Sequence, residues 1–304
     1  MRGLHDNEGG GKMNYSPLRY PGGKSKISPF VRFIIENNMD APVTYIEPFA
    51  GGAGVALNLL IEGTVNHIVI NDYDKAIYSF WRAVKEEPEK LIQMVSCAPL
   101  TIDEWKKQKN IYCTQNKKYS VDLGFAAFYL NRTNRSGILG AGPIGGYDQT
   151  GNYGLNARFN REILIEKIRL IAKFQSRITV YNKEIQSFIK NIIPKYSESA
   201  FVYFDPPYYE KGQRLYKNFF SETDHLKLAK TIVDKVECPW IITYDDVPEL
   251  RRIYSDFEQR RYSLNYSVAN KGKASEIIIF KTPDLLPKED ELKKHIKNFE
   301  LTEV

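Results

Sequence analysis

Cysteine and histidine are scarce in this chain, with three cysteines (Cys97, Cys113, Cys238) and four histidines (His5, His67, His225, His295) in 304 residues. The cysteines are odd in number and widely spaced, no CxxC pair occurs, and the histidines do not cluster with them. These gaps argue against a disulfide framework and a zinc site, and they suit a reducing compartment. No apolar run is long enough to span a bilayer, and no signal peptide opens the chain. The expectation is a soluble, cytoplasmic protein with no membrane partner and no metal. Internal repeats and low-complexity blocks are missing as well, so solenoid and fibrous architectures drop out.

What remains is ordinary globular material. Hydrophobic residues make up 42% and charged ones 26%, enough to build a sizeable core without staples. At roughly 150 residues per domain, the length predicts two units, or one large α/β domain with an insertion. Lys+Arg 43 against Asp+Glu 37 leaves a net charge of +6, a lean toward a polyanion that decides nothing alone. The 20 tyrosines and 16 phenylalanines among those cations add the flat faces on which bases stack.

Along the chain, residues 1–13 are Gly-rich and polar, with a second possible start at Met13, and predict a disordered leader. A helix is expected over 29–37, a strand over 43–46, a glycine turn at 51–54, an apolar helix over 55–61 and a strand over 67–70 ending in Asn71-Asp72. Strand, glycine turn, helix, strand and acid make a βαβ unit. Residues 75–120 read as mainly helical, punctuated by Pro88 and Pro99. From 131 to 160 glycines crowd together with Arg132, Arg135, Arg158 and Arg161 around them, which predicts an irregular functional insertion. Further strands are expected over 178–181, 201–204, 240–244 and 276–280, and the charged tail from Pro283 reads as a peripheral helix.

Three motifs carry chemistry. In Glu47-Pro-Phe-Ala-Gly51-Gly52-Ala53-Gly54, glycines between strand and helix let the backbone approach a ligand, and Asp72 follows about 20 residues on, where an acid accepts from ribose hydroxyls. The dinucleotide pattern GxGxxG is not completed, and such glycines also serve packing. In Gly22-Gly23-Lys24-Ser25, Leu18 stands where the first glycine of a P-loop belongs, and no strand precedes it, so an NTPase is rejected. The third motif is Asp205-Pro206-Pro207-Tyr208, directly after an apolar strand. It reads either as a proline-stiffened turn or as a clamp for a planar NH₂ group. In the second reading a carboxylate and a carbonyl accept, prolines remove competing donors, and a tyrosine supplies a stacking face. Such a clamp would suit a flipped nucleobase.

In this order, the pieces resemble the Dam-type (D12 class, alpha-group) DNA adenine-N6 methyltransferases. The resemblance rests on Pro17-Leu-Arg-Tyr20-Pro-Gly-Gly-Lys24, Glu47-Pro-Phe-Ala-Gly-Gly, Asn71-Asp72, Asp205-Pro-Pro-Tyr208 and Ser267-Val-Ala-Asn270-Lys-Gly-Lys273, and covers nearly the whole chain. It implies an α/β fold, a Rossmann-like methyltransferase sheet flanked by helices, with an inserted, mainly helical and loop DNA-recognition domain. The expected division is a catalytic domain at 14–75 and 176–284, a target-recognition domain at 76–175, and a peripheral tail at 285–304.

The implied reaction transfers a methyl group from S-adenosyl-L-methionine to N6 of a flipped-out adenine in double-stranded DNA. RNA adenine-N6 or DNA cytosine-N4 methylation, or a catalytically decayed DNA-binding module, are the alternatives. The resemblance assigns catalysis to Asp205, Pro206, Pro207 and Tyr208. It assigns the cofactor to Tyr20, Lys24, Glu47, Pro48, Phe49, Gly51, Gly52, Asp72, Glu184 and Asp205. DNA contacts are expected from Arg132, Asn134, Arg135, Arg158, Arg161, Asn270, Lys271 and Lys273, with Tyr147 and Tyr153 as stacking or packing groups. A cognate restriction endonuclease is a possible partner class, as in restriction–modification.

Three finer expectations follow. Ala53 stands where the family's donor loop has glycine, so an ordinary backbone is expected there. Gly140 stands where members methylating GATC place arginine, which argues against that target. Asp205 beside a sulfonium should remain ionised without a raised pKa.

Overall fold

The computed structural model describes residues 14–19, 24–115, 118–209, 220–264, 276–296 and 299–304. Tyr20, Asn270, Lys271, Lys273 and the leader 1–13 lie outside the described residues.

Eight strands form one sheet: β1 Thr44–Glu47, β2 His67–Asn71, β3 Ile178–Tyr181, β4 Ala200–Phe204, β5 Trp240–Asp245, β6 Glu258–Leu264, β7 Glu276–Phe280 and β8 Phe299–Thr302, in the order β3-β2-β1-β4-β5-β7-β6-β8. The first five run parallel, and β7 inserts antiparallel between β5 and β6. β4 and β5 are buried at every position, the continuous apolar runs of a parallel sheet covered on both faces. The chain winds outward from β1 through β2 to β3, then returns to lay β4 on the other side of β1. That reversal is the topological switch point, and the C-terminal ends of β1 and β4 open there into a crevice where α/β sheets hold their ligands.

Eleven helices are described: α1 Ser28–Asn38, α2 Gly54–Ile61, α3 Lys75–Glu86, α4 Pro88–Cys97, α5 Ile102–Thr114, α6 Val121–Thr133, α7 Arg161–Ala172, α8 Ile185–Asn191, α9 Glu222–Lys235, α10 Pro248–Ile253 and α11 Glu289–His295. Several begin on short polar side chains that accept the orphan amides of the first turn: Asp74, Thr101, Ser120, Asn160 and Ser221. Helices α3 to α7 all fall in the single crossover between β2 and β3. They share one hydrophobic core with α1, α2 and a face of the sheet, in which Phe80 and Phe128 stack at 5.6 Å. Gly124 lets α6 press onto α3, because a Cβ there would lie 2.6 Å from the Ser79 carbonyl oxygen.

The structure corrects three readings of the chain. The tail from Pro283 does carry a helix, α11, but it ends in β8, which pairs antiparallel with β6 and joins the sheet. β6 (EQRRYSL) was not anticipated, since its polar sequence has no apolar run to betray it. The segment 131–160 is less irregular than expected at its start, because α6 continues to Thr133.

Candidate active site

A cavity of about 1620 Å³ opens at the switch point. Glu47 at the end of β1, Asp72 after β2 and Asp205 after β4 reach it from adjacent strand ends, joined by Lys24, Pro48, Phe49, Gly51, Gly52, Glu184 and Pro207. The crossover between β2 and β3 adds Arg132, Ser136, Asn156, Arg158, Asn160 and Lys167 to the lining.

The glycine turn after β1 is held from outside. Ser16 donates to the Gly52 carbonyl at 2.5 Å, and Trp81 Nε1 donates to the Gly51 carbonyl at 2.9 Å. Neither residue stands out in the sequence as part of the site. Ala53 does not have the ordinary backbone expected of it. It adopts φ 47°, ψ 33°, the left-handed conformation, because the chain must reverse from β1 into α2 within a few residues. An L-residue there costs about 1–2 kcal/mol.

The carboxylates of this wall lie in protein rather than water, and burial dominates their titration. Glu47 is pushed up to about 8 by burial, opposed by the Ala56 amide, which donates to Oε2 at 3.1 Å, and reinforced by Asp205. Asp72 is raised to about 7 by burial and by Asp74, although it accepts from the amides of Gly51 and Asp74, each at 2.9 Å. Asp205 is raised to about 6 by the protein alone, without the sulfonium that the expectation placed beside it. Burial outweighs the attraction of Lys24, and Glu276 adds repulsion. Glu184 caps α8, accepting from the amides of Gln186 and Ser187.

Within the tetrad, Asp205 and Pro207 line the cavity, and Asp205 keeps 24% of its side chain exposed toward it. Both side-chain contacts found for Asp205 among the described residues fall on Oδ1: Thr243 Oγ1 donates at 3.0 Å, and Lys24 Nζ stands at 3.7 Å. Tyr208 is not among the lining residues; its hydroxyl donates to Glu276 Oε1 at 2.9 Å and accepts from Lys24 at 3.2 Å. Thr243, Tyr262 and Glu276 belong to this cluster, yet no motif marks them.

Of the expected DNA-contact residues, Arg132 and Arg158 reach the cavity wall and Arg135 is exposed. Asn134 is fully buried and structural: Oδ1 accepts from Trp105 Nε1 at 2.6 Å while Nδ2 donates to the carbonyls of Ile138 and Leu139. Arg161 likewise turns inward, donating to the carbonyls of Val95 in the last turn of α4 and Ala98 just after it. Tyr147 and Tyr153 are 60% and 72% exposed. Asn131, buried, ties the segment preceding Tyr20 to the insertion. It accepts from the Arg19 amide at 2.7 Å and donates to the carbonyls of Arg19 and Gly137 at 2.6 and 2.9 Å. Gly137 has φ +75°, and a Cβ there would lie 2.5 Å from the Arg19 oxygen.

Among the described residues no group of three or more His, Cys, Asp and Glu is arranged to hold a metal, and no helix is long and apolar enough to cross a membrane.

A β3-β2-β1-β4-β5-β7-β6 order with its antiparallel β7 and a charged cavity over the switch point is a Rossmann-like methyltransferase architecture. The family model of the D12 class N6 adenine-specific DNA methyltransferases matches residues 20–269, and the chain belongs to that family. It is similar to the type II methyltransferase M1.LlaDCHI of Lactococcus lactis subsp. cremoris, 22% identical over 88% of this chain and 96% of that one. It is also similar to the type II methyltransferase M.MjaIII of Methanocaldococcus jannaschii, 24% identical over 70% of this chain and 77% of that one. Among solved structures, the rRNA methyltransferase aviRa of Streptomyces viridochromogenes aligns over 91% of this chain and 88% of its own, at 12% identity and a TM-score of 0.37. The protein SMU.472 in its complex with SAH aligns over 89% of this chain and 56% of its own, at 12% identity and a TM-score of 0.37.

Proposed function

We propose that this adenine-specific DNA methyltransferase acts on an adenine flipped out of duplex DNA, with S-adenosyl-L-methionine as methyl donor. One observation carries the reading: a single large cavity is lined by carboxylates from the strand ends and by insertion residues whose charged members, Arg132, Arg158 and Lys167, are all cations.

The donor fits the strand ends by charge. Burial raises the pKa values of Glu47, Asp72 and Asp205 there, so a cationic ligand bound beside them would favour their ionised forms. When bound, the donor supplies a methyl group already activated on a sulfonium. In this reading Asp72 accepts from the ribose hydroxyls, and Glu47, Phe49 and the Gly51-Gly52 turn, which line the same cavity, contact the donor. Glu184 and Lys24 line the same pocket.

Asp205 and the Pro206 carbonyl accept the two N–H bonds of adenine N6. That arrangement draws the nitrogen toward tetrahedral geometry and localises a lone pair otherwise delocalised into the ring. The rate gain comes from orientation and fixed acceptors, without a covalent intermediate. With a pKa near 6, Asp205 is mostly ionised at neutral pH yet accepts a proton more readily than an ordinary aspartate. Pro207 shapes the wall, and the Tyr208 ring offers a stacking face that helps offset the few kcal/mol of base extrusion.

Arg132, Arg135 and Arg158 meet the phosphate backbone, within a target-recognition unit at 76–175 set into a catalytic unit at 14–75 and 176–284. Asn270, Lys271 and Lys273 would contact DNA from the late loop. A cognate restriction endonuclease in the cytoplasm completes the proposed setting.

Tritiated methyl donor offered with duplex DNA, single-stranded DNA and RNA tests the reading. Label is expected as N6-methyladenine in duplex DNA, and Asp205→Ala should lower its rate at least about 100-fold. Label confined to RNA, or recovered as N4-methylcytosine, overturns the substrate; a fully active Asp205→Ala overturns the site.

A further inference from the structure

Five side chains from four separate segments meet beside the cavity: Lys24, Asp205 with Tyr208, Tyr262 and Glu276. Lys24 Nζ is 7% exposed at its side chain. It donates to Glu276 Oε2 at 2.6 Å and to the hydroxyls of Tyr208 and Tyr262, each at 3.2 Å. An ammonium has three protons, so these three partners exhaust it. Asp205 stands just beyond, at 3.7 Å, farther from the ammonium than any of these three partners. Glu276 also accepts from both phenols, Tyr208 at Oε1 and Tyr262 at Oε2. The sheet makes this meeting possible: Glu276 opens β7, where it pairs with Asp245 on β5 and with Tyr262 on β6.

We propose that Glu276 is a positioning residue for methyl transfer. With Tyr262 it holds the Lys24 ammonium off Asp205, keeping that carboxylate's lone pairs for the target amine, and it anchors Tyr208 by its hydroxyl. The inference rests on Asp205 being the acceptor of the adenine amine, as assigned above. Without Glu276, Lys24 has a donor to spare, and Asp205 is its nearest acceptor. A direct Lys24–Asp205 pair would compete with substrate for the same oxygens.

The groups facing Asp205 come from several elements. They are Lys24, Glu276, Tyr45 and Glu47 on β1, Tyr203 on β4, Thr243 and Tyr244 on β5, and Tyr208. Burial raises Asp205, Lys24 lowers it and Glu276 raises it. Neutralising Glu276 therefore lowers the Asp205 midpoint, and removing the Lys24 charge raises it. A mere packing defect would not produce that pair of opposite signs.

The full chain, labelled with ¹³C at aspartate carboxyls, reads this directly by NMR titration without donor or DNA. The Asp205 signal is identified by its loss in Asp205→Asn. Glu276→Gln keeps the shape and is expected to lower the midpoint by roughly half to one pH unit, and Lys24→Met to raise it comparably. Tyr262→Phe removes one acceptor of the ammonium without changing charge, and should lower the midpoint by a smaller step. In turnover assays Glu276→Gln should lose about tenfold in kcat while KM for the donor stays within about twofold. A midpoint that stays put or rises in Glu276→Gln overturns the proposal, and Tyr262→Phe decides in the same way if that variant does not fold. An inactive Asp205→Ala with unmoved midpoints removes only the role of Glu276, whereas an active Asp205→Ala removes the amine-acceptor assignment beneath it.

Discussion

The two sides of the cavity are built by different physics. At the strand ends, carboxylates sit on short connections from a parallel sheet, where burial raises the pKa values of Glu47, Asp72 and Asp205. The insertion contributes Arg132, Arg158 and Lys167 to the lining and no carboxylate. Its arginines are positioned by backbone bonds, as when Arg132 Nε donates to the Arg158 carbonyl at 2.7 Å. In the proposed function the strand ends receive the donor and the cations of the insertion receive the DNA.

The largest expected effect breaks the insertion wall alone. Replacing Arg132 and Arg158 together by alanine should weaken DNA binding about 10–100-fold and flatten the salt dependence of log K by roughly two units of slope. Donor affinity should stay unchanged, as calorimetry at several salt concentrations would show. An equal loss of donor binding would mean that the two walls are not separable.

A smaller effect sharpens the strand-end wall. The folded-state pKa of Glu47 is about 8, against an ordinary 4.5. The folded protein therefore holds a proton that the unfolded chain releases, and Glu47 disfavours folding increasingly as pH rises from about 4.5 to 8. Glu47→Gln removes that penalty. It should stabilise the donor-free protein by on the order of 1–2 kcal/mol more at pH 8 than at pH 6 in urea melts. A gain that is flat across this range would show that Glu47 is already neutralised by an unseen partner.

The smallest effect lies in the turn below. Ala53→Gly relieves a left-handed alanine and should raise stability by about 0.5–1 kcal/mol, with donor binding kept. Destabilisation instead would show that the Ala53 methyl group, 1% exposed in the core, contributes more packing than its backbone costs.

Much of this was legible in one dimension. β3 and β7 fall where the apolar runs predicted them, and the glycine turn, Asp72 and Asp205 arrive at one crevice as their order along the chain suggested. The errors are just as instructive. Asn134 and Arg161 look in sequence like nucleic-acid contacts, but backbone carbonyls and an indole inside the fold satisfy them. Residue type announces hydrogen-bonding capacity and is silent on which partner comes within reach. Ala53 misled for a related reason, because the sharpness of the turn from β1 into α2 overrides the preference of the residue occupying it.

By itself, then, the order of residues determined the α/β class, the strand-end acids and the family, since apolar runs, glycine turns and a compact tetrad are local properties of adjacent residues. Only the tertiary structure decided the electrostatics. Lys24, Tyr262 and Glu276 are far apart along the chain and meet because β7 inserts antiparallel beside β5 and β6. The elevated pKa of Asp205 arises from burial among those groups, and burial is a property of the packed molecule rather than of any segment of it.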